Sequence, residues 1–339
     1  MMRVSVICPV FNARPYELQA AVASALAQDS EGVYEVILID DCSTSAGTRA
    51  ALDELGRADA RVTVLRLPRN TGPAAARNLG LAHASGDWIG FLDADDLWPA
   101  DKLARASLTL AQRPDTEWII GDFTNFRPDG RDPVKPGIPC FAVGDTAGPP
   151  QCSPALTRCI ILDGLHLGTC LVRHSLIGDR RFDPAALYGE DLLFLAKLSL
   201  FACADRAPGL SYLCRRGDES MMYSPARISA RYASGPRAGF RDPALRGFRR
   251  EYRWALYDLY KELAVNNLLN RRPLAGLRFA LSALCLDPRE VGDMARFIAL
   301  LPSRDRAELA RRARCYSKRE QVLLEDYRSV VHGSEAQMH

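Results

Sequence analysis

The sequence predicts an α/β fold in which a mostly parallel central sheet is flanked by helices and followed by a helical C-terminal extension. Short β-branched runs alternate with Ala/Leu-rich stretches through about the first hundred residues. The runs are apolar throughout rather than alternating, as expected of strands buried on both faces. Polar residues collect just after each run, and past about Ser224 strand signals give way to helical ones.

Residues 4–8 (VSVIC) are β-branched and stop at Pro9, which predicts the first strand. A helix is predicted over 14–28, a second strand over 35–39 and a second helix over 48–56. Residues 62–65 read as a third strand, 74–84 as a helix and 88–92 as a fourth strand. Asn12 follows the first strand, Asp40 and Asp41 the second, Asn70 the third, and Asp93 and Asp95 the fourth. Ligands of such sheets bind at the carboxyl ends of the strands, so this shared placement predicts a site. Beyond it, residues 102–112 read as helix, 118–123 as strand, and 127–154 as a long Pro/Gly-rich loop. A strand over 168–173, a helix over 191–201 and a strand over 210–214 follow. Helices are predicted over 251–269, 273–285 and 291–301.

Composition narrows the class. The 339 residues suit two modest domains, or one with a sizeable extension, and 47% hydrophobic with 25% charged residues is ordinary for a globular protein. No apolar N-terminal stretch follows a basic segment and no run approaches about 18 apolar residues, so neither a secretion signal nor a membrane span is expected. A cytoplasmic address is the expectation. Ten cysteines are scattered without a C-x-x-C pair. Those in apolar runs, Cys8, Cys170 and Cys285, are expected to be buried and reduced. The five histidines lack metalloprotease spacing, which disfavours a zinc hydrolase. Residues 1–225 carry 22 Lys+Arg against 28 Asp+Glu, whereas 226–339 carry 22 against 13, leaving the back part at +9. That basic stretch mixes with apolar residues in 271–286, which suits an anionic membrane surface, self-association, or plain packing with a solvated basic face. No recognition motif points to nucleic acid.

Four constellations carry chemistry. In GDWIGFLDADD the fourth strand ends in Asp93-Ala94-Asp95 with Asp96 next. Carboxylates this close repel one another, so a site that keeps them suits a cation, Mn2+ or Mg2+, with substrate phosphates. A solvated acidic turn would look the same in isolation. In NTGPAAARN, Gly72 permits a tight turn and Pro73 suits the first helical position. The helix end attracts phosphate, with Arg77 adding a charged contact, or is simply capped beside a surface arginine. In LIDDCS the carboxylates at the second strand's tip suit a base or ribose, or form an Asx turn. Gly189-Glu190-Asp191 precedes a helix, where the dipole favours an ionised Asp191 able to take a hydroxyl's proton. A plain N-terminal cap is the other reading.

The segments VSVICPVFN, DDCS, NTGPAAARN, GDWIGFLDADD and GED, in this order over residues 3–222, together resemble the family 2 glycosyltransferases. Within that family the chain resembles bacterial exopolysaccharide enzymes of the succinoglycan type. The resemblance implies a GT-A fold binding a nucleotide-sugar, with a glycosyltransferase domain over 1–225 and a basic helical extension over 226–339. In that domain 1–115 would bind the donor and 116–225 the acceptor. It implies that Pro9, Phe11 and Asp41 contact the base and that Arg77 lies near the base or diphosphate. Asp93 would approach the ribose or metal, and Asp95 would ligate the metal bridging the diphosphate. Asp191 would be the base of an inverting displacement, supported by Glu190. Arg216 and Ser220 match a late segment that closes over the phosphates, where relatives often carry histidine and this chain reads Arg215-Arg216-Gly217. The Q-x-x-R-W signature of processive members is absent. The implied partners are a UDP-sugar and a glycan or lipid-linked acceptor, met at the inner face of the cell membrane, with the C-terminal helices docking there or pairing with a second copy.

Other enzymes fit less well. A sugar-nucleotide pyrophosphorylase needs a Gly-rich basic loop, and a dehydrogenase needs G-x-G-x-x-G, where this chain has Pro9-Val10-Phe11-Asn12. A catalytically silent nucleotide-sugar binder remains as the alternative from another class.

Overall fold

The computed structural model describes residues 2–28, 33–126, 154–162, 165–202, 204–215, 233–269 and 272–287. It divides into two compact units, the first of Met1–Leu156, Leu165–Pro184 and Glu190–Asp218, the second of Thr157–Gly164, Ala185–Gly189 and Glu219–His339.

The first unit is built on β1 (Val4–Val10), which is buried along nearly its whole length. It pairs in parallel with β2 (Val33–Asp40) on one side and with β4 (Trp88–Phe91) on the other, and β3 (Val62–Arg66) runs parallel outside β2. Burial on both faces explains why these strands show no polar alternation. The second half of the sheet adds β5 (Trp118–Phe126), β6 (Cys170–Arg173) and β7 (Asp205–Arg215), giving the order β3-β2-β1-β4-β6-β5-β7. β6 is antiparallel to both β4 and β5, while β5 and β7 are parallel. The sheet is therefore mixed but mostly parallel.

Helices α1 (Pro15–Leu26), α2 (Ala46–Ala58), α3 (Pro73–His83) and α4 (Lys102–Gln112) connect the strands. Ser45 caps α2 by accepting the Thr48 amide, and Pro15 and Pro73 open α1 and α3 where a missing N–H costs nothing. From β1 the chain steps outward to β2 and β3, then crosses back to β4 on β1's other side. Loops after β1 and β4 thus leave in opposite directions, which opens a crevice at their carboxyl ends.

In the second unit α9 (Arg249–Leu269) packs along α10 (Pro273–Leu286). Leu256, Tyr260, Leu263 and Ala264 of α9 form a core with Phe279, Ala280 and Ala283 of α10. The short α8 (Ser234–Arg241) joins α9, and Arg158 of α5 (Pro154–Leu162) pairs with the buried Glu251 at 3.3 Å.

The expected strands and the early helices are all present. α5 begins at Pro154, where a loop was expected, and α8 was not anticipated, since its sequence SGPRAGFR carries two glycines and a proline. The helix expected over 291–301 and most of the loop over 127–154 lie outside the described residues. Cys8 and Cys170 are buried and free as expected, but Cys285 is exposed, because α10 turns Phe279, Ala280 and Ala283 inward and leaves Cys285 on the opposite side.

Gly86, at the entry to β4, has no room for a side chain: a Cβ there would lie 2.7 Å from the Arg3 carbonyl oxygen and 2.8 Å from the Ser5 amide nitrogen. Backbone on both counts cannot step aside. Gly86→Ala is expected to cost about 1–3 kcal/mol, the usual scale of overpacking. Chemical denaturation would read this as a lower midpoint at unchanged slope; an unchanged midpoint would contradict it.

Candidate active site

The loops at the carboxyl ends of β1, β2, β3 and β4 are tied to one another before any ligand is considered. Asn12 and Cys42 take left-handed conformations, with φ of 50° and 60°, which few non-glycine residues adopt. Asn12 holds its conformation by accepting the Thr44 and Ser45 amides at 2.8 and 2.9 Å, stitching the first loop to the second. Asp41, nearly fully buried, accepts the Thr71 and Gly72 amides at 2.7 and 2.8 Å. Two amides at the entrance to α3 are thereby donated to a carboxylate. Gly72 supports this with a φ of 87° that only glycine takes readily. Pro9 is half-buried at the end of β1, and Phe11 beyond it is 50% exposed, an aromatic face open to solvent.

Arg77 is the buried centre. It is 6% exposed, donating from Nη2 to Asp93 at 3.0 Å and from Nη1 to Glu190 at 2.8 Å. Its guanidinium also lies over the Phe182 ring, 5.7 Å from the centroid. Burial alone would favour the neutral form, but the charges of Asp93, Glu190 and Asp191 outweigh it and raise the guanidinium above its ordinary range. The next residue, Asn78, clamps Phe182 by donating to its carbonyl and accepting its amide, both at 2.8 Å. Phe182 stacks on Phe194 of α7 (Glu190–Leu198) at 4.1 Å and meets Phe91 of β4 edge-on at 5.6 Å. The segment NTGPAAARN thus holds α7 to the end of β4. The sequence alone allowed a surface arginine; the structure shows an internal one.

The acidic loop after β4 is fastened from β7. The Asp93 amide donates to the Tyr212 hydroxyl at 3.0 Å, and Leu97 and Leu213 exchange backbone hydrogen bonds. Arg215 donates its amide to Asp96 at 2.6 Å and its Nε to the Asp95 carbonyl at 2.7 Å. Beneath lies Lys102, whose Nζ donates to the Gly168 and Ser211 carbonyls at 2.6 and 3.2 Å and sits 4.3 Å above the Trp98 ring. Desolvation pushes this lysine down to about 7. Tyr212, Lys102 and Asn78 escaped the sequence reading, because supporting residues carry no motif of their own. The polar pair Arg77-Asn78 on the buried side of α3 was the one available signal, and only for Asn78.

Electrostatics set the three carboxylates apart. Asp96 is buried and pushed up to about 8, first by desolvation and then by Asp93 and Asp95. Asp95 faces solvent, yet the protein beneath it and the charge of Asp93 push it up to about 6. Asp93 is 38% exposed on its side chain. Two open carboxylates, Asp93 and Asp95, next to a third form an all-oxygen donor set that fits Mn2+ or Mg2+. Asp96, His166 and Cys214 also lie within 4.8 Å of one another. That set is a poor match for a diphosphate-bearing cation. Asp96 and Cys214 are buried, Asp96 is engaged by Arg215, and a thiol favours softer metals.

Gly189 takes φ 74° just before α7, and Asp191 stands in the helix's first turn, accepting the Leu192 amide at 2.8 Å. It is half-buried, while Glu190 is buried against Arg77. Desolvation, with the charge of Asp191, pushes Glu190 up to about 7 against the pull of Arg77. Of the residues picked from the sequence, Arg77, Asp93 and Glu190 are in direct contact, with Asp95 and Asp191 beside them in sequence. Asp41 is joined to Thr71 and Gly72, while Pro9 and Phe11 stand at the end of β1. Arg216 and Ser220 lie outside the described residues.

This is the architecture and the motif order of nucleotide-sugar glycosyltransferases of the GT-A type. A family model for glycosyl transferase family 2 matches residues 5–140. The chain is 31% identical over 284 residues to the succinoglycan biosynthesis protein ExoO of Rhizobium meliloti (strain 1021), spanning 79% of this chain and 77% of that protein. It is 46% identical over 110 residues to the putative teichuronic acid biosynthesis glycosyltransferase TuaG of Bacillus subtilis (strain 168), 32% of this chain and 42% of that one. Among solved structures it is similar in fold to the mannosyltransferase PcManGT of Pyrobaculum calidifontis in complex with GDP-Man and Mn2+. That likeness has a TM-score of 0.55 over 97% of this chain and 86% of that one, at 18% identity. The chain belongs to the family 2 glycosyltransferases.

Arg77→Met keeps much of the side chain's bulk but leaves Glu190 buried without its partner. The expected cost is about 3–5 kcal/mol near neutral pH, the scale for breaking a buried pair. Unpaired, Glu190 would titrate higher still, so the folded variant binds the extra proton. The deficit should therefore be smallest at and below about pH 7, where both folded proteins hold Glu190 protonated. It should grow as pH rises above about 7, where only the parent ionises it. Denaturation of parent and variant across that window measures it, and a deficit independent of pH would contradict the pairing.

Proposed function

We propose that the chain is an inverting, non-processive glycosyltransferase. It would move a sugar from a nucleotide-sugar, a UDP-sugar on the family resemblance, to a hydroxyl of a glycan or lipid-linked acceptor in bacterial cell-surface polysaccharide synthesis. One observation carries the reading: a single buried guanidinium bonds both Asp93 of the D-x-D end and Glu190 of the GED turn. The carboxylates suited to a diphosphate and its metal are thereby held beside the carboxylate suited to an acceptor hydroxyl.

In this reading residues 1–225 form the catalytic domain and 226–339 an accessory extension. Pro9, Phe11 and Asp41 take the base. Phe11 offers an exposed ring for it, while Asp41 shapes the pocket through Thr71 and Gly72. Asp95, with Asp93, would hold Mn2+ or Mg2+, which when bound neutralises charge on the leaving diphosphate. Arg77 positions Asp93 and Glu190 rather than touching the diphosphate, and Arg216 is assigned to the phosphates by resemblance alone. The acceptor oxygen attacks the anomeric carbon as the bond to the diphosphate oxygen breaks. The bonding pair leaves with the diphosphate, and the hydroxyl proton passes to Asp191. Glu190, held by Arg77, fixes the turn that presents Asp191. The protein would work in the cytoplasm, at the inner face of the membrane when its acceptor is lipid-linked.

Asp191→Asn keeps the side-chain shape and can still accept the Leu192 amide, so folding and donor binding should survive. Turnover is expected to fall by about 10² to 10⁴, the scale for a positioned base. Proton NMR of the parent's product should show the anomeric configuration inverted relative to the donor. Near-normal turnover of the variant, or retained configuration, would put the base elsewhere. Asp95→Ala is expected to abolish metal-dependent transfer, and EDTA to silence the parent. Full parental activity in EDTA would remove the metal assignment.

A further inference from the structure

Helix α10 is apolar on two sides. One side, with Phe279, Ala280 and Ala283, is packed on α9, with the Tyr260 and Phe279 rings stacked at 6.2 Å. The other carries Leu274, Leu277 and Leu281, which are 84%, 52% and 54% exposed. Their spacing of three and four residues puts them in one stripe. The stripe borders an open groove of about 590 Å³ that reaches Tyr260 and Cys285, with Arg278 at its rim. Arg272 is exposed at the head of the helix and Arg278 beside Leu277. Among the described residues nothing covers the leucines.

We propose that this face of α10 docks on an anionic lipid bilayer, lying in the interface with its leucines among the upper acyl chains. Three features choose a membrane over a second copy of the chain. Exposed Arg278 lies beside the leucines and exposed Arg272 just ahead of the helix, where long basic side chains can reach up to headgroups. The described residues of this unit's helical part, 233–269 and 272–287, carry 9 Lys+Arg against 5 Asp+Glu. That positive balance disfavours a second copy across a two-fold contact and favours anionic lipid. The 14 residues of α10 extend about 21 Å at the α-helical rise, too short for a hydrocarbon core of about 30 Å. Among the described residues no helix is long and apolar enough to cross a membrane. The helix therefore suits lying on the surface. This goes beyond the proposed reaction and does not depend on it.

The test is flotation of the full-length protein with phosphatidylcholine vesicles, with and without phosphatidylglycerol, at low and high salt. The parent is expected to float with the anionic vesicles at low salt and to be released by high salt. Leu277→Asp with Leu281→Asp should weaken binding by tenfold or more, and Arg278→Glu by about tenfold, from losing one favourable charge and adding an unfavourable one. These side chains are exposed, so the variants should melt like the parent. Three outcomes would overturn the proposal: no binding at low salt, leucine variants that float like the parent, or a parent dimer that the same leucine substitutions dissolve.

Discussion

The buried guanidinium of Arg77 is the interaction on which the rest of the site depends. A charge this enclosed is tolerable only when paired, and here it is paired twice, to Asp93 and Glu190. Its Nε is buried without a hydrogen-bond partner, a cost that the two charged pairs offset. The two carboxylates come from distant parts of the chain, one at the end of β4 and one at the start of α7. Without the cation, burial and mutual repulsion would drive them apart or make them take up protons. With it, the acidic loop and the helix start are fixed relative to each other, and the apolar ring stack of Phe182, Phe194 and Phe91 locks the arrangement from below.

The same logic of internal pairing runs along the whole edge of the sheet. Asn12 spans the loops after β1 and β2, Asp41 spans those after β2 and β3, and Tyr212 with Arg215 secures the loop after β4. Each bond uses a backbone amide that a loop would otherwise leave to solvent, so the loops are preorganised on a rigid parallel sheet. Within that frame Asp93 and Asp95 stay open, while Asp96 is withdrawn into the protein. Three adjacent aspartates thus divide into two available to a cation and one that holds structure.

Much of this was legible in the sequence. Continuous β-branched runs such as VSVIC and VILI could only be strands covered on both faces, and the acidic and amide residues after them marked the ligand side. Those readings rest on short-range pattern, which the fold respects. Less legible was anything depending on pairing across the chain. Arg77 reads as a phosphate contact or a surface residue, since nothing local reveals that Glu190, over a hundred positions later, will meet it. Tyr212 and Lys102 sit in unremarkable strand and helix sequence and matter only through what lies above them. α8 was hidden by its glycines and proline, and the exposure of Cys285 by the apolarity of α10 on both sides.

The two sides of α10 also show where pattern alone stops: both are apolar, yet only one is packed and the leucine stripe on the other is open. We infer that the open carboxylates at the end of β4, with the loops that Asn12 and Asp41 stitch together, bind a nucleotide-sugar through its diphosphate. Calorimetric titration of UDP- and GDP-sugars into the parent protein, with Mn2+ and then with EDTA, tests it most directly. The account predicts saturable binding of one nucleotide class at one site per chain, lost when the metal is chelated. Absence of heat for every nucleoside diphosphate sugar in the presence of Mn2+, or equal affinity in EDTA, would contradict it.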